Sequence, residues 1–192
     1  MTLVPGSAVR TEPPDAEVAD WLAAAGTTPV VYVSLGSFLS VRSDVLARVV
    51  EALSGLHVRV ALASGSADVD EQGRVPASWL VRRVLPQVTL LGRSALMVSH
   101  GGNNSVTESL TAGVPLLLLP LSTDQFVGAA AIEEVGYGEA LDANAASSAE
   151  IRDAAVRLLA LDGDPRRRLD DLSRELTTVP GATRAREALL SA

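Results

Sequence analysis

Residues 99–108 read SHGGNNSVTE and concentrate side chains and backbone that can bind a charged ligand. They include His100, one of only two histidines in the chain, next to two glycines and two asparagines. Glycines let a backbone approach a ligand closely, and the first amides of a helix offer unpaired N–H donors at the positive end of the helix dipole. This combination favours a phosphate group as the ligand.

Each residue of this stretch also has an ordinary structural explanation. A lone histidine at the end of a strand is usually a hydrogen-bonded structural residue, and an asparagine pair can be a turn. Glu108, however, lies four residues after Asn104, one helical turn away, so its carboxylate can face the same rim as the phosphate donors. Ser99 and His100 cannot form a catalytic dyad, because consecutive strand residues point to opposite faces.

An alternation of strand and helix patterns surrounds this stretch and must position it. Apolar or β-branched runs predict strands at 29–35, 57–63, 79–85, 95–100 and 114–121. Helical spacing and capping signals predict helices at 15–25, 43–53, 104–113, 124–136 and 147–160, with Ser43 and Ser147 as N-caps, and a further helix with Asp164 as N-cap and Pro165 as first residue. The predicted fold is α/β, with a doubly wound, mostly parallel, Rossmann-like sheet.

Three polar clusters follow predicted strands of this sheet. Gly36 and Ser37 follow the first strand, residues 100–105 follow the fourth, and residues 122–125 (STDQ) follow the fifth. The carboxyl ends of parallel strands meet at one edge, and open α/β sheets bind their ligands there. The sequence therefore predicts a single binding rim.

Composition excludes several other classes of function. The chain has 192 residues, of which 47% are hydrophobic, with a formal net charge of −7 and no cysteine. An acidic chain lacks the basic face of a nucleic-acid binder, and the absence of cysteine excludes disulfides and thiolate sites. Two histidines make a zinc site unexpected, and the DVD of residues 68–70 is interpreted as a solvated turn, so no metal is predicted.

The N-terminal residues do not have the pattern of a targeting sequence. Residues 1–14 lack a basic n-region and an apolar h-region, and no later run is long enough to cross a membrane, so we expect a cytoplasmic protein without a membrane span. Because this segment is rich in proline and glycine, residues 1–14 are predicted to be an interdomain linker, and residues 15–192 one binding domain.

Several ordered motifs resemble the donor-binding signature of the GT-B nucleotide-sugar glycosyltransferases of family 1. These are PQ (86–87), HGGNNSVTE (100–108), GVP (113–115), Pro120 and DQ (124–125). The resemblance implies one half of a GT-B fold: the C-terminal, donor-binding domain of an inverting, metal-independent enzyme without a cofactor. That enzyme would transfer a sugar from UDP or dTDP to a hydroxylated small molecule, of the kind that bacteria glycosylate in making natural products and antibiotics.

The resemblance also implies a role for individual residues. Glu108 would bind the ribose hydroxyls, and Asp124 and Gln125 would bind the sugar hydroxyls. The backbone around Gln87 and Val88 would lie near the base. The residues at the diphosphate would be His100, Gly101, Gly102, Asn104 and Ser105, with Ser37 beside the phosphates. Among these, His100 would stabilise the leaving group. The general base would come from an N-terminal acceptor domain, so the chain alone is expected to be inactive.

Two departures from the plant form of the signature leave the base of the nucleotide open. Val84 stands where the plant enzymes have a tryptophan that stacks on the base, and Asn103 replaces a second plant tryptophan. Both UDP and dTDP therefore remain candidates.

Two other classes of protein are alternatives to a glycosyltransferase domain. An α/β-hydrolase is excluded because no G-x-S-x-G elbow follows a strand. A non-catalytic subunit that binds a nucleotide-sugar and completes an active site with a partner chain remains an alternative.

Overall fold

The computed structural model describes residues 9–36, 42–67 and 75–178, together with residues 181 and 190. In chain order the elements are α1 (Ala16–Ala23), β1 (Val30–Ser34), α2 (Ser43–Ser54), β2 (Arg59–Ala63), β3 (Leu80–Arg82), α3 (Gln87–Leu91), β4 (Ser94–Ser99), α4 (Asn103–Thr111), β5 (Leu116–Leu118), α5 (Thr123–Glu134), β6 (Gly138–Ala140), α6 (Ser148–Leu159) and α7 (Gly163–Thr178). Strands and helices alternate over most of this length, as the sequence predicts.

The six strands form one sheet in the order β3-β2-β1-β4-β5-β6. Every pair of neighbouring strands is parallel. The chain builds outward from β1 in one direction and then from β4 in the other, so the strand order reverses between these two central strands. This confirms the predicted α/β fold with a doubly wound sheet and places a ligand-binding crevice beyond the carboxyl ends of β1 and β4.

Both faces of the sheet are buried, which explains why its strands read as continuous apolar runs. In β1, Val31 and Val33 belong to one hydrophobic core, while Val30 and Tyr32 belong to the other. Helices α2 and α6 cover the first core, and α1, α3 and α5 contribute side chains to the second. The two packed faces hold the central strands, and hence the rim, in a fixed position.

The two edge strands are short and carry paired charges. On β3, the guanidinium of Arg82 donates to the carboxylates of Asp15 (2.5 Å) and Glu17 (3.0 Å). On β6, the carboxylate of Glu139 accepts two hydrogen bonds from Arg157, at 2.9 and 2.7 Å. Each edge strand has only three residues.

Two elements were missing from the sequence-based prediction. Strand β6 consists of Gly138, Glu139 and Ala140, which form no apolar run, and it exists because its backbone pairs with β5. Helix α3 has only five residues, too few for a helical period to be visible. The predicted strand at 114–121 is shortened to β5, although the flanking residues are buried.

Two predicted helix caps are wrong, and one is confirmed. The N-cap of α2 is Arg42 rather than Ser43, and the Arg42 guanidinium pairs with the carboxylate of Asp44 at 2.8 Å. Helix α7 begins at Gly163, so Asp164 lies in the first turn, where its carboxylate pairs with Arg167 instead of capping. The predicted Ser147 capping box at α6 is present.

None of the helices in the described part of the chain is both long and apolar enough to span a membrane.

Candidate functional site

The centre of the rim lies where β1 and β4 end side by side. Ser34, the last residue of β1, is the register partner of Ser99, the last residue of β4. Gly36 and His100 follow these strands by one or two residues, so the topology alone brings them together. The predicted convergence of these two clusters on one rim is confirmed.

The imidazole of His100 is held between two glycines. A Cβ atom built on Gly102 would lie 2.6 Å from Nε2 and 2.8 Å from Cε1 of His100, and one built on Gly36 would lie 2.9 Å from Cε1. Gly36 also has φ of +80°, a conformation that favours glycine. A side chain at either position would meet the imidazole, so the two glycines provide the space in which it lies.

The half-buried position of His100 determines its protonation. Burial lowers the pKa of His100 below its ordinary value of 6.5, while the Ser34 backbone and the carboxylate of Asp124 oppose this shift. The Nδ1 atom is buried without a hydrogen-bond partner among the described residues. At neutral pH the imidazole is thus mainly uncharged.

The N-terminus of α4 faces the same place. The helix begins at Asn103, with Gly102 as an N-cap that makes no side-chain hydrogen bond, and the first intrahelical bond runs from Val106 N to Gly102 O at 3.0 Å. The amides of residues 103–105 therefore have no acceptor within the helix. They provide the donors that the sequence predicts for an anion, with Asn104 exposed and Ser105 buried.

Glu108 lies on the inner face of α4 as a buried carboxylate, 7% exposed. Its Oε2 accepts a hydrogen bond from Nε2 of Gln87 at 2.6 Å, and the same Gln87 nitrogen lies 3.5 Å from the hydroxyl of Ser105. Sequence reasoning assigned a role near the ligand to the backbone of Gln87 and missed its side chain. The PQ motif at the start of α3 thus supplies the partner that orients Glu108, with Val88 following half-buried in the same helix.

The segment before α1 also reaches this carboxylate. Arg10 Nη1 lies 3.1 Å from Glu108 Oε1, and the same guanidinium pairs with Glu12. Glu12 Oε2 in turn accepts hydrogen bonds from the backbone N (2.9 Å) and the hydroxyl (3.1 Å) of Thr89 in α3. No periodic pattern connects residue 10 to residue 108, and the sequence analysis therefore did not find this contact.

A concave pocket opens beside Glu108 at the carboxyl ends of β1, β2 and β3. Its lining residues are Arg10, Tyr32, Ser34, Gly36, Ala63, Gly65, Arg83, Val84, Leu85 and Gln87. Burial raises the pKa of Tyr32 to about 12, so its hydroxyl remains protonated at neutral pH. Val84 is 76% exposed on this rim, an apolar surface available to a flat ring.

The start of α5 borders the His100 side of the site. The Asp124 carboxylate accepts a hydrogen bond from Ser122 Oγ at 2.8 Å, and this bond is the main reason why the pKa of Asp124 is lowered. Gln125 is buried, and its Oε1 accepts from the backbone N of Leu121 (2.8 Å) and of Ser122 (3.2 Å). Gln125 also lies next to Gly101, which has φ of +86°. Asp124 is exposed, and Gln125 keeps only its amide nitrogen for a ligand.

Two predicted features fall outside the described residues, namely Ser37 and the DVD of residues 68–70. Within the part of the chain that the structure covers, no group of three or more histidine, aspartate or glutamate side chains is arranged to hold a metal ion.

Sequence comparison links the chain to a family and to individual proteins. The family model described as "UDP-glucoronosyl and UDP-glucosyl transferase" matches residues 1–164. The chain is 29% identical to NDP-glycosyltransferase YjiC of Bacillus licheniformis over 164 residues, which cover 84% of this chain and 41% of that protein. The chain thus spans about two fifths of the length of this relative.

Structural comparison gives the same result. The glycotransferase of kitacinnamycin superimposes with a TM-score of 0.77 and 30% identity, covering 86% of this chain and 43% of that one. The glycosyltransferase VinC, solved in complex with dTDP, superimposes with a TM-score of 0.73 and 25% identity, covering 99% of this chain and 46% of that one.

Proposed function

The chain belongs to the UDP-glucoronosyl and UDP-glucosyl transferase family, and from this premise we propose that it is the donor-binding half of an inverting, metal-independent glycosyltransferase. The donor is a sugar attached to UDP or dTDP, and the acceptor is a hydroxylated small molecule, a bacterial natural product. The kitacinnamycin glycotransferase and the dTDP complex among its structural neighbours support this class of acceptor and donor.

One observation carries the proposal. His100 is clamped between Gly36 and Gly102 at the point where the strand order reverses, with the free amides of α4 beside it. We assign the leaving diphosphate to this place, in contact with His100, Gly101, Gly102, Asn104 and Ser105. Backbone donors and a fixed imidazole stabilise negative charge without having to reorganise when it develops.

The rest of the donor follows from this placement. The ribose lies at Glu108, the base lies in the adjoining pocket near Gln87 and Val88, and the transferred sugar points toward Asp124 and Gln125. Gln125 contributes its amide nitrogen, because its oxygen already caps α5. The ordering base, ribose, diphosphate and sugar thus runs along the rim from β3 to α5.

The chemistry divides between this domain and the acceptor side. The acceptor hydroxyl attacks the anomeric carbon and loses its proton to a general base that an N-terminal domain or a partner chain supplies. The bond from the anomeric carbon to the diphosphate oxygen breaks, and its electron pair stays on the diphosphate. The residues around His100 lower the energy of that step by holding the departing charge.

The proposal is tested by calorimetric titration of the chain with UDP, dTDP, GDP and ADP in the presence of EDTA. We expect UDP or dTDP to bind without a divalent metal. Glu108→Ala should weaken binding by about 1.5 to 3 kcal/mol, which is about 10- to 100-fold, because charge-assisted bonds to the ribose are lost.

The matched control is Glu134→Ala, an exposed glutamate at the last residue of α5, at the end away from the rim. It removes the same charge and should leave the affinity unchanged. Equal affinities of the wild type and Glu108→Ala, with both proteins folded, would refute the ribose assignment. Binding that disappears in EDTA would refute metal independence.

A further inference from the structure

We propose that Arg10 is a positioning residue for donor binding, which orients and charge-compensates Glu108 for the ribose hydroxyls. The inference rests on the proposed function, because it assigns a task to a residue outside the recognised motifs at the same site. It makes the segment before α1 part of the nucleotide site.

A continuous series of polar contacts links α3, the segment before α1 and Glu108. Thr89 and Arg10 both donate to Glu12, and the Arg10 guanidinium forms an ion pair with Glu108. The Glu12 side chain is only 9% exposed, although it lies in a segment without regular secondary structure. The guanidinium of Arg10 is thus paired with two largely buried carboxylates, Glu12 and Glu108, although the Arg10 side chain itself is 50% exposed.

The buried carboxylate of Glu108 needs a cation beside it. A carboxylate that is 7% exposed loses most of its hydration and is costly to keep ionised unless it is paired and hydrogen-bonded. Gln87 provides a neutral donor at Oε2, and Arg10 provides the positive charge at Oε1. Arg10 is the one guanidinium that the described residues place on this carboxylate.

Glu108 keeps acceptor capacity for a ligand beside these two partners. A carboxylate offers about four lone-pair positions on its two oxygens. Gln87 uses one position on Oε2, and the Arg10 guanidinium lies against Oε1, which leaves at least one position on each oxygen. Two free positions match the two vicinal hydroxyls of the ribose in UDP, and one of them serves the single 3′ hydroxyl of dTDP, so the ligand can bind without displacing Arg10.

Two other roles for Arg10 would give different binding results. If Arg10 instead blocked the site, its removal would tighten binding of every nucleotide. If it attracted phosphates through its charge alone, its removal would weaken all nucleotides equally, whether or not they carry ribose hydroxyls. Only a residue that acts through Glu108 makes the effect depend on those hydroxyls.

The experiment is a titration of the full chain, as wild type and Arg10→Met, with UDP and with 2′,3′-dideoxyuridine diphosphate. Arg10→Met should weaken UDP binding about tenfold and should change the affinity for the dideoxy nucleotide by less than about twofold. Glu12→Gln should move UDP affinity in the same direction, because it releases the guanidinium. In a Glu108→Gln background, Arg10→Met should have no further effect.

The control is Arg93→Met, which removes an equal charge from an exposed residue just before β4, at the end of the strand opposite the rim. It should not change either affinity. Equal losses for the two nucleotides, unchanged UDP affinity, or tighter binding by Arg10→Met would each overturn the inference while leaving the proposed function intact. If the wild type binds dTDP but not UDP, the inference about the ribose hydroxyls falls and the proposed function stands; if it binds neither, both fall.

Discussion

Replacing Gly102 by alanine tests whether the position of His100, and not merely its presence, matters for diphosphate binding. Gly102 has φ of −61° and ψ of 142°, which alanine adopts without backbone strain. The free-energy cost of the substitution therefore comes from steric overlap alone. The new Cβ would lie 2.6 Å from Nε2 of His100, whereas non-bonded atoms of this kind need about 3.5 Å.

The imidazole must consequently move by about 1 Å, and it can do so toward solvent because His100 is only half-buried. Overpacking of this kind typically costs about 1 to 3 kcal/mol of folding free energy, and we expect about 1 kcal/mol here, a decrease in Tm of about 2 to 4 °C. Loss of one hydrogen bond to a charged ligand costs about 10- to 100-fold in affinity. Affinity for UDP or dTDP should fall within that range.

The assay is calorimetric titration alongside thermal unfolding of the same samples. Gly128→Ala is the control, because a Cβ at this helical position in α5 meets nothing within 4 Å, and it should raise stability by about 0.5 to 1 kcal/mol without changing affinity. If Gly102→Ala acts only by displacing the imidazole, adding it to His100→Ala should cause no further loss. Wild-type affinity in a folded Gly102→Ala protein, or a full additional loss in the double variant, would refute the reasoning.

Three more outcomes are expected. Asp124→Ala should weaken binding of a nucleotide-sugar more than binding of the bare nucleoside diphosphate, measured by parallel titrations; equal losses would mean that the Asp124 bond to Ser122 is its whole role. Because burial lowers the pKa of His100 in the folded state below 6.5, the unfolded chain binds the proton more tightly, so stability should fall as pH drops below about 6.5. Urea unfolding at several pH values should show this extra loss in the wild type and not in His100→Gln, and identical pH dependence of the two would contradict it. Finally, the chain incubated with a nucleotide-sugar and hydroxylated acceptors should transfer no sugar alone, and turnover should appear when an N-terminal acceptor domain is added; robust turnover by the chain alone would overturn the two-part mechanism.

The elements that the sequence predicted well are those whose burial is periodic or continuous. Runs such as that of β1, with Val31 and Val33 facing one core and Val30 and Tyr32 the other, announce a strand covered on both sides. The short elements were not predictable in this way. β6 depends on pairing with β5, and α3 has only five residues, too few to show a helical period.

The features of the candidate site likewise fall into a predictable and an unpredictable group. His100, Gly102 and Glu108 could be proposed because strand ends and one helical turn fix where they lie. The side-chain bond from Gln87 to Glu108 and the ion pair from Arg10 could not, because each depends on how separate segments pack in three dimensions. The bonds by which Gln125 caps α5 could not be predicted either, since a glutamine that caps a helix and one that faces a ligand look identical in a sequence.

The paired charges at the sheet edges have a consequence for how the protein behaves at high concentration. An exposed edge strand is a template on which another chain can add a strand, and long, flat, apolar edges promote aggregation. Here each edge strand has only three residues. Each carries a charged side chain in an ion pair, Arg82 on β3 and Glu139 on β6. A foreign strand docking on either edge would have to desolvate or break those ion pairs. The ion pairs thereby protect this apolar sheet from pairing, edge to edge, with the sheets of other molecules.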